Sequence, residues 1–199
     1  AEKLLPHLAI ASGLVLCQGA QVQDLPNADF TLFYTAEGLS EDVDAELAEV
    51  AGAWGHLDGS MPLRVESHSA LSIWQEFLQK TTTDELLVRV AVPVGKLGSY
   101  FASPAVNGHD GSIWLTDVAN GMAYVRYAPA DAVNAQRWLE AIRLPALRLG
   151  GYALVMQAPT MLDDQIDRWG YTPESLNLMH QLKQKWDPHT VLTSAFPVV

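Results

Sequence analysis

The chain has 199 residues, which suits one compact domain or a closely packed pair. Hydrophobic residues make up 49% and charged residues 18%, which excludes a disordered chain; folding should bury about 70% of the unfolded surface. Twelve Lys and Arg against 23 Asp and Glu give a net charge of −11, which argues against nucleic acid as a partner, because phosphate binding needs clustered cations.

Ala1–Ala11 is apolar on both sides of Pro6, which interrupts a helix, and the segment selects no element. The chain does not open on Met and has no basic n-region, so it reads as a trimmed chain or as a domain cut from a longer one, with no secretory signal visible. The apolar stretches Ala9–Cys17 and Leu86–Val94 are too short or too interrupted to span a bilayer. Cys17 is the single cysteine; it cannot form an internal disulfide and fits a reducing compartment. Gln18–Asn27 reads as a connection. Asp29–Ala36 carries Phe30, Leu32, Phe33 and Tyr34 and predicts a strand. Ser40 then caps a helix, with Glu41 and Asp42 in its first turn and Val43, Leu47, Val50 and Trp54 as an apolar stripe.

Met61–Glu66 predicts a short strand. A second helix follows, with Ala70, Ile73, Trp74, Phe77 and Leu78 on one face, ending near Thr81–Asp84. Leu86–Val92 predicts a strand closed by Pro93, and Lys96–Ala102 a short helix. Ser103–Gly111 reads as a loop. Ser112–Asp117 and Met122–Tyr127 predict a hairpin through Asn120-Gly121. Asp131–Arg143 predicts a helix, and Tyr152–Ala158 a strand after the break at Gly150-Gly151. Thr172, Pro173 and Glu174 predict the start of a last helix, with a stripe of Leu176, Met179, Leu182 and Trp186, stopped by Asp187-Pro188. Lys183 and Lys185 are then a positive last turn. The expected fold is α+β: one antiparallel sheet with helices mainly on one face, containing a ferredoxin-like split βαββαβ unit over Leu86–Ala158.

The six histidines, His7, His56, His68, His109, His180 and His189, show no metal-ligand spacing, so no metal site is expected. No dinucleotide fingerprint, P-loop or nucleophile elbow is present. Gly108-His109-Asp110-Gly111 reads as an ordinary turn before it reads as a site. Strand parity says more. Val88, Val90 and Val92 share one face of their strand, leaving Arg89 on the other. Met122, Tyr124 and Arg126 share a face, as do Ser112, Trp114 and Thr116. Helices over one sheet face would leave Arg89, Arg126, Tyr124 and Trp114 to line the open one. Arginine suits a bidentate grip on a carboxylate. The plainer alternative is that each arginine pairs with one of the abundant acids.

In the C-terminal half, Arg148-x-Gly150-Gly151-Tyr152-Ala153-Leu154-Val155, Ala158-Pro159 and Asp167-Arg168-Trp169-Gly170 occur in order. Leu178-Met179, Leu182-Lys183, Trp186-Asp187-Pro188 and Val191-Leu192 follow. This set resembles the C-terminal part of FAD-linked oxidases of the vanillyl-alcohol-oxidase type, nearest to the FAD-binding subunits of bacterial glycolate oxidases. The specific part spans about Leu147–Leu192. The resemblance implies that residues 1–160 are a substrate-side cap domain and that 161–199 are a helix and tail docking on a flavin-binding domain N-terminal to this chain. It implies FAD in the full-length protein, none bound to this chain, and an oxidoreductase acting on a 2-hydroxy acid such as glycolate. The isolated chain is then expected to be inactive. The partners implied are the flavin-binding domain and an iron–sulfur subunit, in the cytoplasm or at the inner face of the membrane through those subunits. Arg89, Arg126 and Tyr124 would bind substrate. The family's Asn-Pro-Gly-Arg tail is replaced here by Thr193-Ser194-Ala195-Phe196, so Thr193 stands where the tail would meet the cofactor. The alternative is a non-catalytic ferredoxin-like module for a small ligand or for regulation.

Overall fold

The computed structural model describes residues 11–19, 28–58, 62–65, 82–107 and 111–192. Its elements are β1 (Ala11–Gln18), β2 (Phe30–Ala36), α1 (Ser40–Asp58), β3 (Leu86–Ala91), α2 (Leu97–Phe101), α3 (Pro104–Asn107), β4 (Ile113–Asp117), β5 (Met122–Tyr127), α4 (Ala132–Arg148), β6 (Tyr152–Gln157) and α5 (Leu176–Trp186). The strands form one six-stranded sheet in the order β2-β1-β4-β5-β3-β6, antiparallel at every pairing. The protein is therefore α+β, as its alternation of elements predicts. The β4–β5 hairpin forms where Asn120-Gly121 places it: Asp117 pairs with Met122, and Gly121 takes φ +68.

One face of the sheet carries the main core. Leu14, Val88, Val90, Trp114, Val125, Ala153 and Val155 meet Ala135, Trp138, Leu139, Ile142 and Ala146 of α4 and Leu97 and Tyr100 of α2. Burial of such side chains contributes about 1.5–3 kcal/mol each. Two buried ring donors are tied in. Tyr100 donates to the Ile142 carbonyl at 3.0 Å, and the Trp138 indole donates to Ser112 Oγ at 3.0 Å. Tyr34 of β2 donates to Glu46 of α1, which places α1 over the same face.

Several expectations are corrected. β1 forms within residues that read as an apolar stretch and a connection; its role is to join the β2 edge to β4, a pairing that no local pattern encodes. Residues 62–65 are not strand, so the expected strand at Met61–Glu66 is absent there. Part of the expected loop at Ser103–Gly111 is the short helix α3, closed by amides of Val106 and Asn107 donating to the Ser103 carbonyl. The helix expected to stop at Arg143 continues through Pro145 to Arg148. Pro145 and Ala146 are both buried, so packing offsets the hydrogen bond that proline deletes. Its start is as expected: Asp131 accepts the Asn134 amide at 2.7 Å. The last helix begins at Leu176, not at Pro173, and none of its residues is fully buried. The predicted helix around Ala70–Leu78, Met61, Glu66 and residues 108–110 lie outside the described residues.

Candidate functional site

The second face of the sheet holds the predicted site residues. Register places them exactly enough to follow one row across the strands: Leu154 of β6, Arg89 of β3, Tyr124 of β5, Leu115 of β4, Cys17 of β1 and Thr31 of β2 are successive cross-strand partners. At the β4–β1 end this face is closed. Val15, Cys17 and Leu115 are buried there, with Phe33 and Tyr124 packed against them. At the β5–β3–β6 end Arg89, Tyr124, Arg126 and Tyr152 are half-buried. The face is thus apolar and buried at its β4–β1 end and polar and half-buried around Arg89 and Tyr124, with Leu154 of β6 buried beside them.

Trp114 does not belong to this face. It lies under the helices, edge-on to Tyr100 at 6.2 Å and to Phe101 at 5.4 Å. The hairpin register pairs Trp114 with Val125 and Leu115 with Tyr124, so Leu115 is the β4 residue beside the arginines. That assignment was available from the turn length, because pairing fixes parity across a hairpin.

The two arginines have different environments. Arg126 is already engaged: its Nε and Nη2 donate to the Glu85 carboxylate at 3.0 and 3.2 Å. The pair is nearly buried, with side-chain exposures of 11% and 15%. Burial pushes the Glu85 carboxyl up, but the hydrogen bonds from Arg126 and Thr82 outweigh it and hold the group below the usual glutamate range. Glu85 was not singled out from sequence. Its signal was parity: Glu85, Leu87 and Arg89 alternate onto one face, and Leu87 pairs with Arg126, so Glu85 is diagonal to that arginine.

Among the described residues, no carboxylate pairs with Arg89. Its Nε is buried and meets no hydrogen-bond acceptor, and its guanidinium carbon stands 5.8 Å from the centre of the Tyr152 ring. A cation over a ring contributes about 0.5–2 kcal/mol. A hydrogen bond between charged partners contributes about 1.5–3 kcal/mol. Arg89 therefore differs from Arg126 in keeping its Nε unpaired among the described residues. Tyr124 stands directly across from it on β5.

The glycine pair Gly150-Gly151 does not form a flavin pyrophosphate cradle. A pyrophosphate site needs glycine-rich backbone at a helix N-terminus. Gly150-Gly151 instead follow the C-terminal, carbonyl end of α4, and a Cβ on Gly151 would lie 2.0 Å from the Ala91 carbonyl oxygen. Gly151 serves close packing of the α4–β6 connection on β3, and Gly150 supplies the left-handed turn at φ +82. Thr193 lies outside the described residues. Among the described residues, no three His, Cys, Asp or Glu side chains are grouped to hold a metal, and no helix is long and apolar enough to cross a membrane. Cys17 is not a nucleophile candidate: burial pushes its thiol up to about 12.

No protein-family model matches the chain. No curated protein matches it either.

Proposed function

We propose that the chain is the substrate-side cap of a flavin-dependent oxidoreductase acting on a 2-hydroxy acid such as glycolate. The observation that carries this reading is Arg89: a half-buried cation on a sheet face, with a buried donor and, among the described residues, no acidic partner, beside Tyr124 and Tyr152. The ordered C-terminal resemblance supplies the reaction class. Hydride acceptance belongs to a flavin held outside these residues. The share of this chain is to hold the substrate carboxylate through Arg89, with Arg126 kept from competing by Glu85. Fixing the carboxylate fixes the neighbouring C–H bond, which lowers the entropic part of the barrier. The apolar end of the face, with Leu115 and Phe33, is suited to excluding water at a covered interface. On this reading the partners are a flavin-binding domain and an iron–sulfur subunit, with the assembly in the cytoplasm or against the inner face of the membrane.

The test is affinity purification of the protein from its own cells, followed by visible absorbance and anaerobic addition of glycolate. Flavin bands that bleach with the acid support the reading. A colourless preparation with no flavin-bearing polypeptide overturns it and leaves the small-ligand module.

A further inference from the structure

Tyr152, the ring beneath Arg89, is itself held by a segment far along the chain. The Val155 amide donates to the Arg168 carbonyl at 2.8 Å, so residues 167–171 run beside the outer edge of β6. Arg143 reaches this segment from α4. Its Nε donates to the Ala153 carbonyl at 3.2 Å and its Nη2 to the Asp167 carbonyl. One guanidinium thus joins helix, strand and segment. Gly170 lies against it with φ +71, and a Cβ there would stand 2.4 Å from Arg143 Nε. The space that a side chain would need is filled by the arginine. The next residue, Tyr171, places its ring 6.5 Å from that of Tyr152 at 31°, and Trp169 meets Tyr171 edge-on at 5.8 Å. Both separations are those of interacting aromatic pairs.

We propose that Gly170 and Arg143 are positioning residues that set Arg89 for carboxylate binding through Tyr171 and Tyr152. This rests on the reading of Arg89 as the carboxylate-binding group. An arginine that must be ordered on binding loses affinity to its own rotamer freedom, and a ring platform fixed in advance removes part of that loss. The Trp169-Gly170 dipeptide then has a reason beyond the turn itself. Glycine admits the Arg143 guanidinium, and the aromatic residues on either side carry the constraint to the sheet.

Calorimetric titration of the chain with glycolate tests this. Tyr171→Ala and Gly170→Ala should each weaken binding by about two- to tenfold, the range for losing one pre-ordered side chain. Tyr171→Phe, which keeps the ring, should bind like the wild type. Gly111→Ala, where a Cβ would meet nothing within 4 Å, should lower stability and leave the dissociation constant unchanged. A Tyr171→Ala variant that binds as tightly as the wild type, while Arg89→Met binds weakly, overturns the positioning role and spares the carboxylate reading. Equal affinity of wild type and Arg89→Met, or no binding by either, overturns that reading. Should Gly170→Ala not fold, the Tyr171 pair decides the matter alone.

Discussion

Glu85 closes on Arg126 with two hydrogen bonds, across 41 residues of sequence, and so decides which arginine on the sheet face remains available. The arrangement divides labour between two chemically identical groups. Arg126 is paired with Glu85, and on the proposed reading Arg89 is the one left for an external anion.

Substitution separates these roles. Arg126→Met removes the partner of a nearly buried carboxylate and should lower unfolding free energy by about 1–3 kcal/mol. Arg89→Met removes no ion pair and should change stability by less than about 0.5–1 kcal/mol. Urea titrations of both variants check the contrast; a larger loss at Arg89 would refute it.

The same ion pair sets a pH dependence. Glu85 is held below its ordinary value, so the unfolded chain binds its proton more readily than the folded one. Its stabilising contribution is complete above about pH 4.3, the unfolded value, and is lost as pH falls through the lower folded value. Asp187, held down by the Lys183 ammonium and by the Val191 and Leu192 amides, acts in the same direction. The difference between wild type and Glu85→Gln isolates the first group. That difference should shrink as pH falls from 6 toward 3, and a constant difference would exclude the linkage.

Cys17 is only 2% exposed, and its thiol is pushed up to about 12. In the folded protein at pH 8 it should resist an aromatic disulfide reagent, and in urea it should react at once. Cys17→Ser places a hydroxyl in the Val15–Leu115 cluster and should cost about 1–3 kcal/mol.

Two glycines in the left-handed region separate strain from contact. Gly121 has φ +68, and a Cβ there would stand 2.2 Å from the Val92 carbonyl oxygen. Gly111 has φ +85 with nothing within 4 Å. Gly111→Ala should cost about 1–2 kcal/mol from backbone conformation alone. Gly121→Ala should cost more, because relieving its clash with the Val92 carbonyl also strains the bond that the Val92 amide donates to the Gly121 carbonyl at 2.9 Å. Equal midpoints for the two variants would show that the close approach carries no energy.

What the sequence by itself determined was local. Strand-favouring residues and turn residues marked β2 through β6, Asn120-Gly121 marked the hairpin, and Asp131 marked the start of α4, because each depends on residues a few positions apart. Parity likewise put Arg89 opposite Val88 and Val90. Tertiary structure decided the rest. The apolar run of β1 has no meaning as a strand until β2 and β4 flank it. The α5 stripe reads as a core face, yet Trp186 is 74% exposed, since periodicity marks a face without supplying what covers it. The free state of Arg89 depends on Glu85 lying diagonal to its neighbour and on the Tyr171 segment reaching Tyr152. Ion pairing and ring stacking fall off within a few ångströms, so only the register of distant strands and loops settles them.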